Sequence, residues 1–215
     1  MNSFDTILFD LDGTLTDSAP GIIECFRFTL AHMEFPEPDN IMQILGPPLQ
    51  NSFSELCGMD SAQTDEAVKF FRRHYSEKYL FVNSVYEGVP QMLEELKSHG
   101  IKLLVATCKA EPYALRILEK FGLSPYFDFA GGADINGSRS TKSQVIEYVL
   151  ENARVSGNSR ILMVGDRMHD IEGAHSCGIP CMAVAWGYGN KTEFTEYNAD
   201  FIAENPKDLL NLIIA

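Results

Sequence analysis

Apolar and polar residues follow two different periods along this chain, and the changes of period divide it. Ile7-Leu8-Phe9 is a continuous apolar run between polar neighbours, the pattern of a strand buried on both faces. From Asp17 to Asn83 the period becomes helical. Ile22, Ile23, Phe26, Leu30 and Met33 recur every three or four residues behind Pro20, which suits a first helical turn, until Phe35-Pro36-Glu37-Pro38 ends the pattern. A short segment from Asp39 to Leu45 stops at Gly46-Pro47-Pro48, and another runs from Leu49 to Cys57 before Gly58. A further segment begins at Ser61 with Ala67, Val68, Phe71 and Tyr75 on one face. Residues 17–83 therefore predict an all-α insertion closed by its own apolar faces.

From Ser84 helices and buried strands alternate. Pro90 opens a helix with Met92, Leu93 and Leu96 facing inward, Gly100 ends it, and a strand from Ile101 to Ala106 follows. Pro112 opens the next helix, through Leu115 and Leu118 to Gly122, and Tyr126 to Ala130 predicts a short strand. Thr141-x-x-Gln144 has the form of a capping box before Val145, Ile146, Val149 and Leu150. Ile161 to Val164, Cys181 to Ala185 and Phe201-Ile202 supply the remaining strands. Such alternation implies parallel strands joined by helical crossovers. The predicted fold class is α/β, a Rossmann-like parallel sheet built from residues 1–16 and 84–215 and interrupted by the helical insertion.

Composition narrows the partners. With 215 residues, 45% hydrophobic and 22% charged, the chain is that of an ordinary folded protein. A formal charge of −13 argues against nucleic-acid backbones and anionic membranes as partners, because those are held by clustered Lys and Arg. No apolar run approaches the ~20 residues of a transmembrane span, and no basic-then-apolar leader is visible, so a cytoplasmic location is expected. The five cysteines, Cys25, Cys57, Cys108, Cys177 and Cys181, include no C-x-x-C pair and fit reduced thiols. Without secretion, Asn136-Gly137-Ser138 and Asn190-Lys191-Thr192 are chance matches to the glycosylation pattern.

Candidate chemistry gathers at the strand ends. Asp10 and Asp12 close the first strand, and like charges so close call for a cation or a donor between them; a plain Asp-Gly turn is the alternative. Gly13 lets the backbone turn tightly beside whatever is bound. The strand Ile161 to Val164 leads into Gly165-Asp166, with Asp170 four residues on. A carboxylate in a first helical turn is favoured by the dipole alone, which is a second explanation for Asp170 but none for Asp166. Four carboxylates at one sheet edge suit a hard divalent cation, with Mg²⁺ the expected one. Lys142 sits where a cation opposes its own helix dipole, tolerable if solvated and pointed if it faces an anion. Thr107, at a strand end, could simply bond its own backbone. The scattered histidines offer no H-E-x-x-H motif.

These stretches together resemble the haloacid-dehalogenase superfamily of phosphohydrolases. Asp10-Leu11-Asp12-Gly13-Thr14 matches its D-x-D-G-T motif without departure. Thr107 matches the Ser or Thr closing the second motif strand, Lys142 the helix-opening Lys, and Gly165-Asp166-Arg167-Met168-His169-Asp170 the acidic G-D-x-x-x-D. The resemblance covers essentially the whole chain and is closest to the phosphoglycolate phosphatase-like branch with a helical cap, to which Trp186-Gly187-Tyr188-Gly189 also looks similar. An aromatic glycine-rich loop packed on the core is the plainer reading of that stretch.

The resemblance implies a Mg²⁺-dependent phosphomonoester hydrolase acting through an aspartyl-phosphate. Asp10 would be the nucleophile and Asp12 the acid and base. Asp10, Asp12 (through its carbonyl), Asp166 and Asp170 would hold metal, and Thr107 and Lys142 the phosphoryl group. Cys108 stands where family members often have Asn, Ser or Gly. Lys109 is familiar in this branch, although a solvated loop Lys fits as well. The insertion would select a small phosphorylated metabolite through a stiff loop that includes Leu49 and Gln50, in a monomer or homodimer. Phosphoglycolate and nucleoside monophosphates, the latter implying a 5'-nucleotidase, both remain open. A sugar phosphomutase would need a hinge His that Asp17-Ser18-Ala19-Pro20-Gly21-Ile22 lacks, and a non-catalytic phosphate-binding protein would not need the full set.

Overall fold

The computed structural model describes residues 4–135 and 137–214, so Asn136 of the Asn-Gly-Ser sequence lies outside the described residues. The chain divides into two compact units, one of Ser18–Ser84 and one of the residues up to Asp17 together with those from Val85 onward.

The Ser18–Ser84 unit is helical: α1 (Ala19–Met33), α2 (Leu49–Asn51) and α3 (Ser61–His74), with shorter turns between them. The buried face of α1 is Gly21, Cys25, Phe26, Thr29 and Leu30, whereas Ile22, Ile23 and Met33 are only half-buried. That face comes closest to backbone at Gly21, where a Cβ would lie 2.5 Å from the Tyr79 carbonyl oxygen and 2.6 Å from that of Val82. Backbone packs where bulk cannot, and the isoleucines flank it. The stretch after Pro48 is helical but widens to a π-turn at Ser52–Leu56. Asp60 and Gln63 form a reciprocal cap on α3, whose Ala67, Val68 and Phe71 are buried.

The other unit carries β1 (Thr6–Phe9), β2 (Thr16–Asp17), β4 (Lys102–Ala110), β5 (Phe129–Ala133), β6 (Ile161–Gly165), β7 (Cys181–Val184) and β8 (Phe201–Ala203); β3 (Ser84–Val85) pairs with β2 in a small separate sheet. Its helices are α4 (Val89–Ser98), α5 (Glu111–Lys120), α6 (Lys142–Asn152), α7 (Met168–Ser176), α8 (Lys191–Glu196) and α9 (Pro206–Ile214). The main sheet has six strands in the order β5-β4-β1-β6-β7-β8, every pairing parallel. Ile7 is opposite Leu103 and Leu162, and Leu8 opposite Leu104 and Met163; all six are fully buried, as a sheet covered on both faces requires. From central β1 the chain builds outward through β4 and β5 on one side and β6, β7 and β8 on the other. Such a reversal of strand order opens a crevice at the strands' C-terminal ends.

Three local expectations shift. β4 continues past Ala106 to Ala110, with a break in register against β5 between Thr107 and Ala110. β5 begins at Phe129 because Ser124–Tyr126 is a 3₁₀ turn and Asp128 is the residue that engages β4, its N–H on the Leu103 carbonyl and its carboxylate on the Leu103 N–H. On α5, Leu118 is buried but Leu115 is 45% exposed. Among the described residues no helix is long and apolar enough to cross a membrane.

Candidate active site

Each functional side chain is delivered by a strand end or by the helix start that follows. Asp10 comes directly after β1, fixed by its N–H bond to the Val164 carbonyl. Gly13, at φ +82°, turns the chain so closely past Asp166 that a Cβ there would lie 2.2 Å from Asp166 Oδ2. Asp166 follows β6 and is fully buried. Its carboxylate accepts from the Tyr188 N–H at 2.7 Å and from Thr14 Oγ1 at 3.4 Å. Asp170, in the first turn of α7, accepts the N–H groups of Asp166 and Arg167, both at 3.1 Å.

Lys142 opens α6 behind the reciprocal Thr141–Gln144 cap, yet it is only 5% exposed. Gly173 gives its stem room: a Cβ there would lie 2.5 Å from Lys142 Cγ. The ammonium stands 2.9 Å from Asp10 Oδ1 and 2.7 Å from Asp170 Oδ1, and donates to the Ala106 carbonyl at 3.0 Å. Burial would lower its pKa, but the Asp10 and Asp170 carboxylates outweigh that and hold it above the ordinary lysine range. Its position against the helix dipole is thus explained by an anionic pocket.

Carboxylate oxygens of Asp10, Asp166 and Asp170 lie within 4.8 Å of one another. One lysine does not balance three carboxylates: burial first, and then the charges of Asp170 and Asp10, push Asp166 well above the usual carboxylate range. Asp170 is raised as well, burial outweighing the help from Lys142. Asp10 Oδ1 and Asp170 Oδ1 both face the Lys142 ammonium, at 2.9 and 2.7 Å. A crowded set of hard oxygen donors, two of them on buried residues, with more negative charge than one ammonium offsets, fits a Mg²⁺-like cation. The side chain of Asp12 is not in this group: its Oδ2 is in a 2.6 Å ion pair with Lys109 Nζ, and its Oδ1 is buried without a partner.

Lys109 is not a solvated loop residue; its side chain is 7% exposed. Thr107 is buried, and its Oγ1 accepts the Lys109 N–H at 3.2 Å, which orders the strand end that carries both. Cys108 between them is exposed. Leu49 and Gln50 belong to α2 in the helical unit. Three contacts were not foreseen, two of them from the Trp186–Gly189 stretch that the sequence had singled out. Trp186 Nε1 donates to the Thr14 carbonyl at 3.0 Å, the Tyr188 hydroxyl to Asp17 Oδ1 at 3.1 Å, and Glu193 Oε1 accepts the Met168 N–H at 2.6 Å. The unusual Trp-Gly-Tyr-Gly sequence was the available signal.

A parallel α/β core with an acidic, lysine-bearing site at its switch point is a frame that several chemistries could use, and comparison with known proteins supplies the family. The haloacid dehalogenase-like hydrolase family matches residues 7–184. The chain is 37% identical over 207 residues to the 5'-nucleotidase of Pseudomonas aeruginosa, covering 93% of each. It is 33% identical over 211 residues to the phosphoglycolate phosphatase of Aquifex aeolicus, covering 96% of this chain and 95% of that one. It is also 41% identical over 198 residues to tyrosine-protein kinase PtkA of Mycobacterium tuberculosis, spanning 91% of this chain but only 64% of that protein's length. A haloacid dehalogenase-like family hydrolase from Streptococcus pneumoniae superposes with a TM-score of 0.90 at 31% identity, covering 98% of this chain and 99% of that one. The chain belongs to the haloacid dehalogenase-like hydrolase family.

Proposed function

We propose that the chain hydrolyses small phosphomonoesters through a phosphoryl group carried on Asp10, with Mg²⁺ held by Asp10, Asp166, Asp170 and the Asp12 carbonyl. The observation that carries this is the gathering of the Asp10, Asp166 and Asp170 carboxylates within 4.8 Å of one another at the sheet's C-terminal edge, with the Lys142 ammonium in contact with Asp10 and Asp170. Bound there, Mg²⁺ supplies positive charge that lets an anionic nucleophile meet an anionic phosphate. Asp10 attacks phosphorus as the bond to the leaving oxygen breaks, and Asp12 gives that oxygen its proton. Water then attacks phosphorus, Asp12 takes the water's proton, the bond to Asp10 breaks, and inorganic phosphate leaves. Lys142 steadies Asp10 in the correct orientation and neutralises phosphoryl oxygens, while Lys109 fixes the direction of the Asp12 carboxylate. Thr107 and the Cys108 N–H contact the phosphoryl group.

The relatives named phosphoglycolate phosphatase and 5'-nucleotidase support a small phosphorylated metabolite as substrate, with phosphoglycolate and nucleoside monophosphates the first to test. The helical unit serves as the cap, with Leu49 and Gln50 reading the part of the substrate beyond the phosphate. Phosphate release over a panel of phosphoglycolate, sugar phosphates, nucleoside monophosphates and pyrophosphate, with and without Mg²⁺, tests the reading. Full turnover in chelator would overturn it.

A further inference from the structure

The segment after β7 lies beyond the residues matched by the family, yet it encloses Asp166 on several sides. The Tyr188 N–H reaches Asp166 Oδ2 at 2.7 Å. Gly187 passes so close that a Cβ would meet Asp166 Cβ and the Gly13 carbonyl oxygen, each at 2.3 Å; one on Gly189 would meet the Asp166 carbonyl oxygen at 2.0 Å. Trp186 Nε1 ties the same loop to the Thr14 carbonyl at 3.0 Å, and Glu193 takes the Met168 N–H at 2.6 Å just beyond Asp166. The two glycines therefore occupy positions that any side chain would disrupt, and between them the backbone presents one donor to one oxygen of one carboxylate.

We propose that Trp186–Gly189 is the positioning loop for Asp166, holding its carboxylate and the Gly13-Thr14 turn in the single arrangement that accepts a divalent cation. This rests on the metal reading above. The loop's N–H takes up one lone pair of Asp166 Oδ2 and, with the Thr14 hydroxyl on Oδ1, limits the rotation of the carboxylate while leaving acceptor capacity beside Asp10 and Asp170. Tyr188 extends the same frame through its hydroxyl to Asp17, so the chain that leaves the first motif is tied to this loop at Thr14 and again at Asp17. Residues that orient a metal ligand without touching the metal typically change affinity by about 10–100-fold when lost.

The test is calorimetric titration of the full chain with MgCl₂ alone, without substrate, on the parent, Asp166→Asn, Trp186→Phe and Gly187→Ala, each with a thermal melt in chelator. The expected result is a Mg²⁺ dissociation constant raised about tenfold or more in both loop variants, with Trp186→Phe melting close to the parent. Parent-like affinity in folded Trp186→Phe and Gly187→Ala, while Asp166→Asn loses Mg²⁺, overturns the loop's role and leaves the proposed function standing. A parent that binds no Mg²⁺ overturns both. Should Gly187→Ala fail to fold, amide hydrogen exchange decides: the Tyr188 N–H must exchange slowly in the metal-free parent and faster in Asp166→Ala, and equal rates contradict the proposal.

Discussion

Asp10, Asp166 and Asp170 form a charge arrangement that is unfavourable without a cation, and this has measurable consequences one residue at a time. An acid whose pKa stands higher folded than unfolded binds more protons when folded, so the metal-free protein should lose stability as pH rises from about 4 through the raised value. Asp166 and Asp170 are both raised. In chelator, the denaturant midpoint of the parent should therefore fall relative to Asp166→Asn as pH rises above the ordinary carboxylate value of about 4; parallel curves would show that Asp166 is not held high. Among the described residues Lys142 supplies the one ammonium that contacts both Asp10 and Asp170; Lys142→Met removes it, and stripping one partner from a buried ion pair costs about 3–5 kcal/mol. Urea unfolding should show a loss of that order in chelator, partly recovered with Mg²⁺. At this scale residue types and spacings were readable, because each motif sits at a strand end or at the start of the helix that follows. The 2.6 Å contact between Lys109 and Asp12 was not, since it joins residues 97 positions apart through a side-chain rotamer that no local pattern records.

At the scale of elements, periodicity located helices more reliably than it located their buried faces. Leu118 and Leu115 look alike on an amphipathic wheel, but one packs inward and the other is 45% exposed. Leu118→Ala should cost about 2–5 kcal/mol through the cavity it leaves, whereas Leu115→Ala should change stability by about 0.5 kcal/mol or less; comparable losses in thermal or urea unfolding would contradict the assigned face. On α1 the opposite error arises, because large Ile22 and Ile23 attract attention although small Gly21 and Thr29 let the helix approach its neighbour. Capping was legible where its chemistry is local, as with Thr141 and Gln144. α8 was not legible: six mostly polar residues around buried Phe194 carry too little periodicity. The extension of β4 past Ala106 was hidden for a related reason, since its register break depends on β5 rather than on β4's own residues.

For the whole molecule, the switch from helical to alternating pattern near residue 84 made the α/β class readable, because a parallel sheet covered on both faces requires continuous apolar strands. What the sequence does not encode locally is the substrate, since in the proposed reading the core residues contact only its phosphate. If the helical unit reads the remainder, Leu49→Ala and Gln50→Ala should change the ratio of kcat/KM between phosphoglycolate and a nucleoside monophosphate while leaving a minimal phosphate ester nearly unaffected; an equal loss on all three would make the loop structural. The central claim is that Asp10 itself carries the phosphoryl group. Acid-quenched protein, taken during turnover with Mg²⁺ and peptide-mapped by mass spectrometry, should carry phosphate on Asp10. Asp10→Asn should carry none and should lose turnover by a factor on the order of a thousand or more. Phosphate on another residue, or sustained turnover by Asp10→Asn, would contradict it.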